Sequence, residues 1–373
     1  MPVRAAARVN VAAIERNVAL LARELADGTE LCAVVKADGY GHGAAPAAQA
    51  ALAGGATWLA VAAAGEAADL RAAGVGARLL VLGALTGEEL DVALDADADV
   101  VAWREDFVAA MTRRGRPARV HVKLDTGMGR LGTRDPAEAT RVAEAVAAAP
   151  GLVLAGAMTH FATADEPGDA FFGEQLERFR GWAEPLRAAH PGIVLHAANS
   201  AALLRDHAAH FDLVRPGIAI YGMDPFQEDA VARGLEPALE LVSYVAELKP
   251  CAPGDSTGYG RRFVATRPTT IATVPIGYGD GVRRALTNHA DVLVRARRRP
   301  LVGTVSMDNV TLDVGPDGGG VVRGDEAVLI GARGAERISA EEVARRLGTI
   351  NYEVTCGLTP RVPRVYHRDG EPL

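Results

Sequence analysis

Short apolar runs alternate with amphipathic segments through the first 220 or so residues, a pattern typical of parallel strands separated by helices. The chain begins with a predicted amphipathic helix over 10–27, for which Asn10 is the expected N-cap. Eight predicted strands follow, at 31–36, 57–61, 78–82, 99–102, 119–124, 152–158, 193–195 and 212–214. Eight strands with intervening helices predict an N-terminal (β/α)8 TIM-type barrel in the α/β class.

Beyond residue 222 the pattern changes to β-branched segments separated by Gly, Pro and Asp turns, which predicts a mostly β C-terminal domain. Its strands are expected at 239–249, 269–276, 291–294, 301–305, 309–314 and 327–330. One helix is expected at 340–347 with Ser339 as its cap, and the basic run 295–299 is expected in a solvated turn. We predict a barrel domain over 9–234 and a β domain over 235–373 that includes residues 1–8.

Polar residues stand at the ends of several predicted barrel strands. Lys36 ends the first, Lys123 lies on the fifth, His160 and His196 follow the sixth and seventh, and Arg215 follows the eighth. The active sites of such barrels lie at the C-terminal ends of the strands. A single histidine at a strand end is more often structural, but several polar residues meeting at one rim favour a site.

Lys36 is the strongest candidate for covalent chemistry, because it follows an apolar strand and precedes a glycine-rich loop. A lysine amine at an apolar margin loses hydration, so its pKa falls and the neutral amine can form a Schiff base. The alternative interpretation is a lysine that extends from the strand end into water.

Asn199 and Ser200, after the seventh strand, lie at a predicted helix N-terminus. Free amides and the helix dipole favour an anion there, and Gly217 after the eighth strand permits close approach of the backbone. A Schiff-base lysine together with a phosphate site on a barrel indicates pyridoxal phosphate. The alternative for Ser200 is a plain helix cap.

Composition excludes several classes of protein. The net charge of −7 and the absence of a basic stripe argue against nucleic-acid binding, and 49% hydrophobic residues exclude wholesale disorder. We find neither a secretory signal nor an uninterrupted apolar span, so a cytoplasmic location is expected. The three cysteines, an odd number without metal-ligand spacing, are expected to be reduced thiols, with no metal site.

A series of motifs resembles the alanine racemase family over essentially the whole chain. AVVKADGYGHG carries Lys36, and VKLDTGMGRLG carries Lys123 and Arg130. The others, in order, are MTHFATAD, HAANS, RPGIAIYG, STGYGRR, GYGDG, SMDN and INYEVTC. The resemblance implies an isomerase that interconverts L-alanine and D-alanine by a two-base mechanism and supplies D-alanine for peptidoglycan.

The resemblance also implies roles for individual residues. Lys36 would bind pyridoxal phosphate covalently and act as one catalytic base. Arg215 would contact the pyridine nitrogen, and Arg130 the substrate carboxylate and the phenolic oxygen of the cofactor. The other cofactor contacts would be Tyr40, Leu82 and His160 beside the ring, and Asn199, Ser200, Gly217, Ile218 and Tyr352 at the phosphate.

The second catalytic base implied by the resemblance is Tyr259, supplied by the β domain of a second copy in a homodimer. Tyr278, Met307 and Asp308 would complete the substrate site from the same domain. Ser306 and Gly279 stand where the family commonly has cysteine and alanine, which bears only on rate and fine specificity.

Lys123 is a further candidate, for modification. A buried neutral lysine can react with carbon dioxide to give an anionic carbamate, which would fix Arg130.

Two other interpretations compete with the racemase. The chain could be another barrel-type pyridoxal phosphate enzyme, such as a broad-specificity racemase, an amino-acid decarboxylase or a metal-dependent D-amino-acid aldolase. It could also be a single-domain cofactor-binding protein without turnover, although the β domain argues against that.

Overall fold

A computed structural model describes residues 4–373, which divide into two compact units. One unit contains residues 14–226, and the other combines residues 4–13 with 227–373. No helix among the described residues combines the length and apolarity required to span a membrane. The cysteines Cys32, Cys251 and Cys356 form no disulfide within the same residues.

The first unit contains a sheet of eight strands that are all parallel, which confirms the predicted barrel. The strands, first to eighth along the chain, are Glu30–Val34, Trp58–Val61, Arg78–Val81, Ala98–Ala102, Ala118–Lys123, Leu152–Met158, Val194–His196 and Leu213–Val214. The first seven pair with their neighbours in sequence, and the first also pairs with the eighth. The amides of Asp212 and Arg215 donate to the carbonyls of Leu195 and Ala198 and thereby join the eighth strand to the seventh.

Helices separate these strands as the apolar spacing predicts. The first, Val11–Arg23, has the expected cap, since the Asn10 side chain accepts from the Ala12 amide at 3.2 Å. The others are Ala44–Ala53, Ala64–Ala72, Gly87–Asp95, Glu105–Arg114, Pro136–Ala148, Phe171–Ala189 and Ser200–Arg205, with 3-10 turns at His207–Ala209 and Ile218–Tyr221. The strands are buried on both faces, which explains their nearly continuous apolar sequence.

The second unit is built on a mostly antiparallel sheet of eleven strands. Ten of them pair in the order Glu247–Cys251, Thr269–Val274, Val310–Gly315, Arg297–Leu301, Ala290–Val294, Glu326–Arg333, Leu239–Tyr244, Ala5–Asn10, Arg364–Arg368 and Glu371–Pro372. Glu336–Ile338 pairs with Glu326–Arg333, and Ser256–Thr257 forms a separate pair with Phe263–Val264. A buried cluster containing Val242, Leu293 and Val328 contributes to the core.

Two predictions for this unit need correction. The strand expected at 301–305 is wrong, because Arg297–Leu301 forms the strand instead. The run 295–299 is therefore mostly strand, with only Arg295 and Ala296 in a tight turn at φ of 53° and 55°. Arg298, within this strand, is half-buried and forms ion pairs with Glu336 and Glu342. Hairpin strands made of arginine lack the apolar alternation on which the prediction relied.

Two helices are present in this unit where one was predicted. Ala340–Leu347 begins at the expected cap, where the Ser339 hydroxyl accepts from the Glu342 amide. The second, Asn351–Cys356, contains Tyr352 and is too short to show helical periodicity in the sequence. The 3-10 turns Ala230–Arg233, Tyr259–Arg261, Tyr278–Asp280, Arg284–Leu286 and Pro316–Gly320 complete the unit.

Candidate active site

Lys36 lies two residues beyond the first barrel strand and begins a left-handed turn. Ala37, Asp38 and Tyr40 have φ values of 52°, 51° and 54°. Residues other than glycine pay about 1–2 kcal/mol each for this conformation, so other contacts must hold the turn. The Glu66 carboxylate does so by accepting from the Ala37 amide at 2.6 Å. The turn fixes Lys36 at the C-terminal end of its strand.

Tyr40 approaches the loop that follows the eighth strand. Its ring lies 5.1 Å from that of Tyr221, and a Cβ on Gly217 would lie 2.3 Å from the Tyr40 hydroxyl. The sequence pointed to Gly217 as a place of close backbone approach to a ligand. In the structure the group that requires a glycine there is the tyrosine hydroxyl.

Ser200 and the 3-10 turn after Gly217 offer hydrogen-bond donors to an anion. The Ser200 hydroxyl oxygen accepts from the amides of Gly217 at 2.9 Å and Ala219 at 3.3 Å. Both acceptor positions are then filled, so the hydroxyl hydrogen is left to donate. Among residues 4–373 the amide of Ile218 has no acceptor. The cap of the helix Ser200–Arg205 is Asn199, whose side chain accepts from the Ala202 amide, so Ser200 is not the cap.

Arg215 is buried at the end of the eighth strand, with 3% of its surface exposed. Its Nη1 contacts Nδ1 of His196 at 2.7 Å, and its Nη2 donates to the carbonyls of Thr159 at 2.8 Å and Ala197 at 3.0 Å. Burial lowers the pKa of this guanidinium to about 10, so it keeps its charge at neutral pH.

Lys123 ends the fifth strand, with 4% of its surface exposed. Burial, followed by the charges of Arg215 and Arg130, lowers its pKa to about 8. Arg130 is exposed in the loop that follows. Burial and the same two arginines, together with Lys123 and Lys36, also lower the pKa of His160 well below its usual value. Leu82 lies half-buried directly after the third strand.

These residues gather four cations, Lys36, Lys123, Arg130 and Arg215, at one end of the barrel. Each contributes to the electrostatic field at His160, where no carboxylate is among the main influences. An amine, a group of hydrogen-bond donors and an excess of positive charge fit pyridoxal phosphate, whose phosphate and phenolic oxygen are anionic. A substrate carboxylate could bind to the remaining positive charge.

The expected residues of the β unit are brought together by one loop, 303–308. The Thr304 hydroxyl donates to the carbonyl of Tyr259, and the Tyr278 amide donates to the carbonyl of Ser306. Asp308 pairs with Arg361. Tyr259, Met307 and Tyr278 are 74%, 51% and 43% exposed, although all three are large. Tyr352 lies apart in sequence, on the helix Asn351–Cys356, and is partly buried.

Sequence analysis missed three residues that support the site. Glu66 holds the turn after Lys36, while Asp99 and His121 continue the contacts of His196 into the barrel. A histidine within VHVK and an aspartate within ADVVA interrupt apolar strands, and that interruption was the only available signal. A buried polar residue requires a partner, but the sequence does not say which one.

Comparisons with known proteins agree with this geometry. Profiles of the alanine racemase N-terminal and C-terminal domains match residues 9–225 and 238–366. Alanine racemase from Thermobifida fusca is 46% identical over 97% of this chain and 98% of its own length. That from Symbiobacterium thermophilum is 43% identical over 96% of each.

Solved structures extend the likeness to the fold. Alanine racemase from Bacillus anthracis with bound L-Ala-P superposes with a TM-score of 0.92 at 37% identity, covering 100% of this chain and 97% of that one. The enzyme from Streptomyces coelicolor gives a TM-score of 0.91 at 39% identity, covering 97% and 98%. The chain therefore belongs to the alanine racemase family.

Proposed function

We propose that the protein interconverts L-alanine and D-alanine with pyridoxal phosphate and so supplies D-alanine for peptidoglycan. The observation that carries the proposal is the arrangement of Lys36, Lys123, Arg130 and Arg215 at one end of the barrel in a chain of this family. The bound cofactor withdraws electrons from the substrate and acidifies its Cα proton. The protein then needs to hold the cofactor and move protons.

The barrel unit provides the cofactor contacts. Lys36 supplies the amine for covalent attachment, and the Ser200 hydroxyl and Ile218 amide donate to the phosphate, with Tyr40 and Asn199 beside them. His160 and Leu82 pack against the ring. Arg215 can only donate hydrogen bonds, so it would hold the pyridine nitrogen of the bound cofactor as an unprotonated acceptor. A cofactor held in this way would withdraw electrons less strongly, which would suppress side reactions such as transamination.

Racemisation needs an acid–base group on each face of the substrate Cα. The Lys36 amine takes or returns the proton on one face, and the Tyr259 phenol does so on the other. Arg130 binds the substrate carboxylate. Tyr278, Met307 and Asp308 limit the space for the side chain of the substrate.

We place Tyr259 in the site of a second copy, so the active unit is a homodimer with shared sites. Large side chains as exposed as Tyr259, Tyr278 and Met307 are unusual when they cluster on one loop system, and they suit a contact surface. A partner covering the barrel mouth would also exclude water from the reacting groups.

Lys123 is proposed as a carbamate in the active protein. Its buried amine, with a pKa of about 8, is neutral often enough to attack carbon dioxide, with loss of one proton. The resulting anion would pair with Arg130 and hold its guanidinium toward the substrate. The reaction also converts one of the four neighbouring cations into their counterion.

We propose the cytoplasm as the site of action, because three cysteines that form no disulfide among the described residues suit a reducing compartment. The match in fold and motifs over nearly the whole chain favours racemisation over decarboxylation or aldol cleavage.

Chiral chromatography after incubation of the protein with L-alanine and pyridoxal phosphate tests the activity. We expect D-alanine to appear until the two enantiomers are equal, and no change on adding a metal chelator. A panel of larger L-amino acids measures the preference for alanine. Release of carbon dioxide, dependence on a metal, or the absence of D-alanine would contradict the proposal.

A further inference from the structure

A chain of buried polar side chains runs through the barrel from Arg215 to the fourth strand. Nη1 of Arg215 contacts Nδ1 of His196 at 2.7 Å, and Nε2 of His196 contacts Nδ1 of His121 at 2.8 Å. Nε2 of His121 contacts Asp99 at 3.0 Å. His196, His121 and Asp99 are all 0% exposed. None of these three has a place in the proton transfers described above.

The direction of every hydrogen bond in this chain follows from Arg215. A guanidinium only donates, so His196 must accept at Nδ1 and carry its proton on Nε2. His196 Nε2–H then donates to His121 Nδ1, which places the proton of His121 on its Nε2, facing Asp99. Reversing one tautomer would set two donors, or two acceptors, against each other in the core. Both imidazoles are therefore neutral with Nε2 protonated.

Asp99 fixes the far end of the chain. The carboxylate also accepts from Arg78 at 2.7 Å and from Arg119, whose side chains are 35% and 34% exposed. Burial raises the pKa of Asp99, but the hydrogen bonds from His121, Arg78 and Arg119 outweigh it and lower the value to about 2. Asp99 thus remains an anion and always accepts.

The fold makes room for this arrangement. A Cβ on Gly156 of the sixth strand would lie only 2.3 Å from Nδ1 of His121. The histidine ring fits in the barrel because the neighbouring strand has a glycine at this position.

The chain also determines which hydrogens Arg215 can offer. Both hydrogens of Nη2 are used by Thr159 and Ala197, and one hydrogen of Nη1 is used by His196. One Nη1–H and the Nε–H remain. We infer that Asp99 and His121 are positioning residues, which act through His196 to lock the Arg215 guanidinium so that these two hydrogens face the cofactor.

This inference rests on the proposed function in one respect only, namely that the group facing Arg215 is the cofactor. Replacement of His121 by phenylalanine should leave His196 Nε2–H without an acceptor and loosen Arg215. Misplacement of such a group by about 1 Å can cost on the order of 10²-fold in rate. We expect kcat to fall roughly tenfold to a hundredfold. KM for alanine should stay within about threefold of the value for the unmodified protein, since Arg130, which binds the substrate, is not part of the hydrogen-bonded series from Arg215 to Asp99.

His121→Gln is the matched variant. Its amide oxygen can accept from His196 while its NH2 donates to Asp99, so the direction of the chain is kept and most of kcat should return. Equal loss in both variants, or full kcat in His121→Phe, would overturn the inference.

Solid-state 15N NMR of histidine-labelled full-length protein, with and without pyridoxal phosphate, reports the tautomers directly. Signals lost in His121→Phe identify His121. We expect Nε2–H tautomers for His121 and His196 in both preparations; an Nδ1–H or doubly protonated form of either refutes the chain. If His121→Phe fails to fold, the tautomers in the unmodified protein and kcat of His121→Gln decide. If the unmodified protein racemises alanine but its histidines are not the expected Nε2–H tautomers, the hydrogen-bonded series is refuted and the proposed function is unaffected.

Discussion

The barrel unit and the β unit hold their candidate site residues in opposite ways. In the barrel, Lys123 and Arg215 are buried at the ends of parallel strands, and the Arg215 guanidinium has three hydrogen-bond partners. In the β unit, Tyr259 and Met307 lie exposed on loops joined by the hydrogen bond from the Thr304 hydroxyl to the Tyr259 carbonyl. Strand ends give rigid placement, whereas exposed loops gain theirs by contact with another surface. In the proposed function, cofactor binding belongs mainly to the barrel unit and completion of the site to the β unit of a second copy.

The largest effect in this comparison is expected from Lys36→Ala, which removes both the attachment point and one base from the barrel. Activity should fall at least about 10⁴-fold, the upper end for a proton-transfer residue, even with excess cofactor. The chain has only three lysines, so borohydride reduction and peptide mass spectrometry can distinguish them. We expect the pyridoxyl label on Lys36. Label on Lys123, or on the exposed Lys249 that serves as control, would show that the attachment is misassigned.

The division of labour between units is tested by mixing two inactive variants. Lys36→Ala and Tyr259→Phe would be dissociated together and reassociated, then assayed for racemisation. In a shared site, each mixed dimer has one intact site, so random pairing should restore roughly a quarter of the activity of the unmodified protein. Each variant carried alone through the same steps is the control. A mixture as inactive as its components would mean that each chain forms its own site.

Lys123→Ala sharpens the comparison by removing the proposed anion beside Arg130. Loss of a charged hydrogen bond costs about 1.5–3 kcal/mol, so kcat/KM should fall roughly tenfold to a hundredfold. Added acetate or formate should restore part of it by occupying the vacated space. The control variant Lys249→Ala, on the β unit, should keep the kcat/KM of the unmodified protein, with or without the added anion. Undiminished activity of Lys123→Ala without added anion would exclude the carbamate.

The smallest effects come from two serines at helix starts, one in each unit. Ser200→Ala should weaken cofactor affinity about tenfold, since it removes a donor to the phosphate, as measured by fluorescence titration. Ser339→Ala removes only a cap and should lower the free energy of unfolding by about 1 kcal/mol without changing cofactor affinity. Equal effects of the two changes on affinity would assign Ser200 a purely structural role.

The two units also differ in how much the sequence could predict. All eight barrel strands were predicted within about two residues, because parallel strands buried on both faces leave a plain apolar pattern. The strand end of Lys36 followed from the same pattern. The arginine-rich strand Arg297–Leu301 and the short helix Asn351–Cys356 were missed, since neither has a readable period.

Within the site, local chemistry could identify candidates but not partners. Lys36 and Ser200 were found from the residues that surround them in the sequence. The candidacy of Tyr259, Tyr278 and Met307 came only from family resemblance, because nothing local distinguishes an exposed loop tyrosine. Asp99 and His121 required the register of the fourth, fifth and seventh strands, which sequence alone does not fix.

The strand Ala5–Asn10 places a constraint on biosynthesis. It lies between Leu239–Tyr244 and Arg364–Arg368 in the sheet, so its partners are made more than two hundred residues later. At translation rates of about 5–20 residues per second, this strand waits from roughly ten seconds to more than a minute for them. Until then it is an unpaired strand, and all eight barrel strands are synthesised before its first partner. A ribosome that stalls late would leave a chain with a complete barrel sequence and an unfinished sheet.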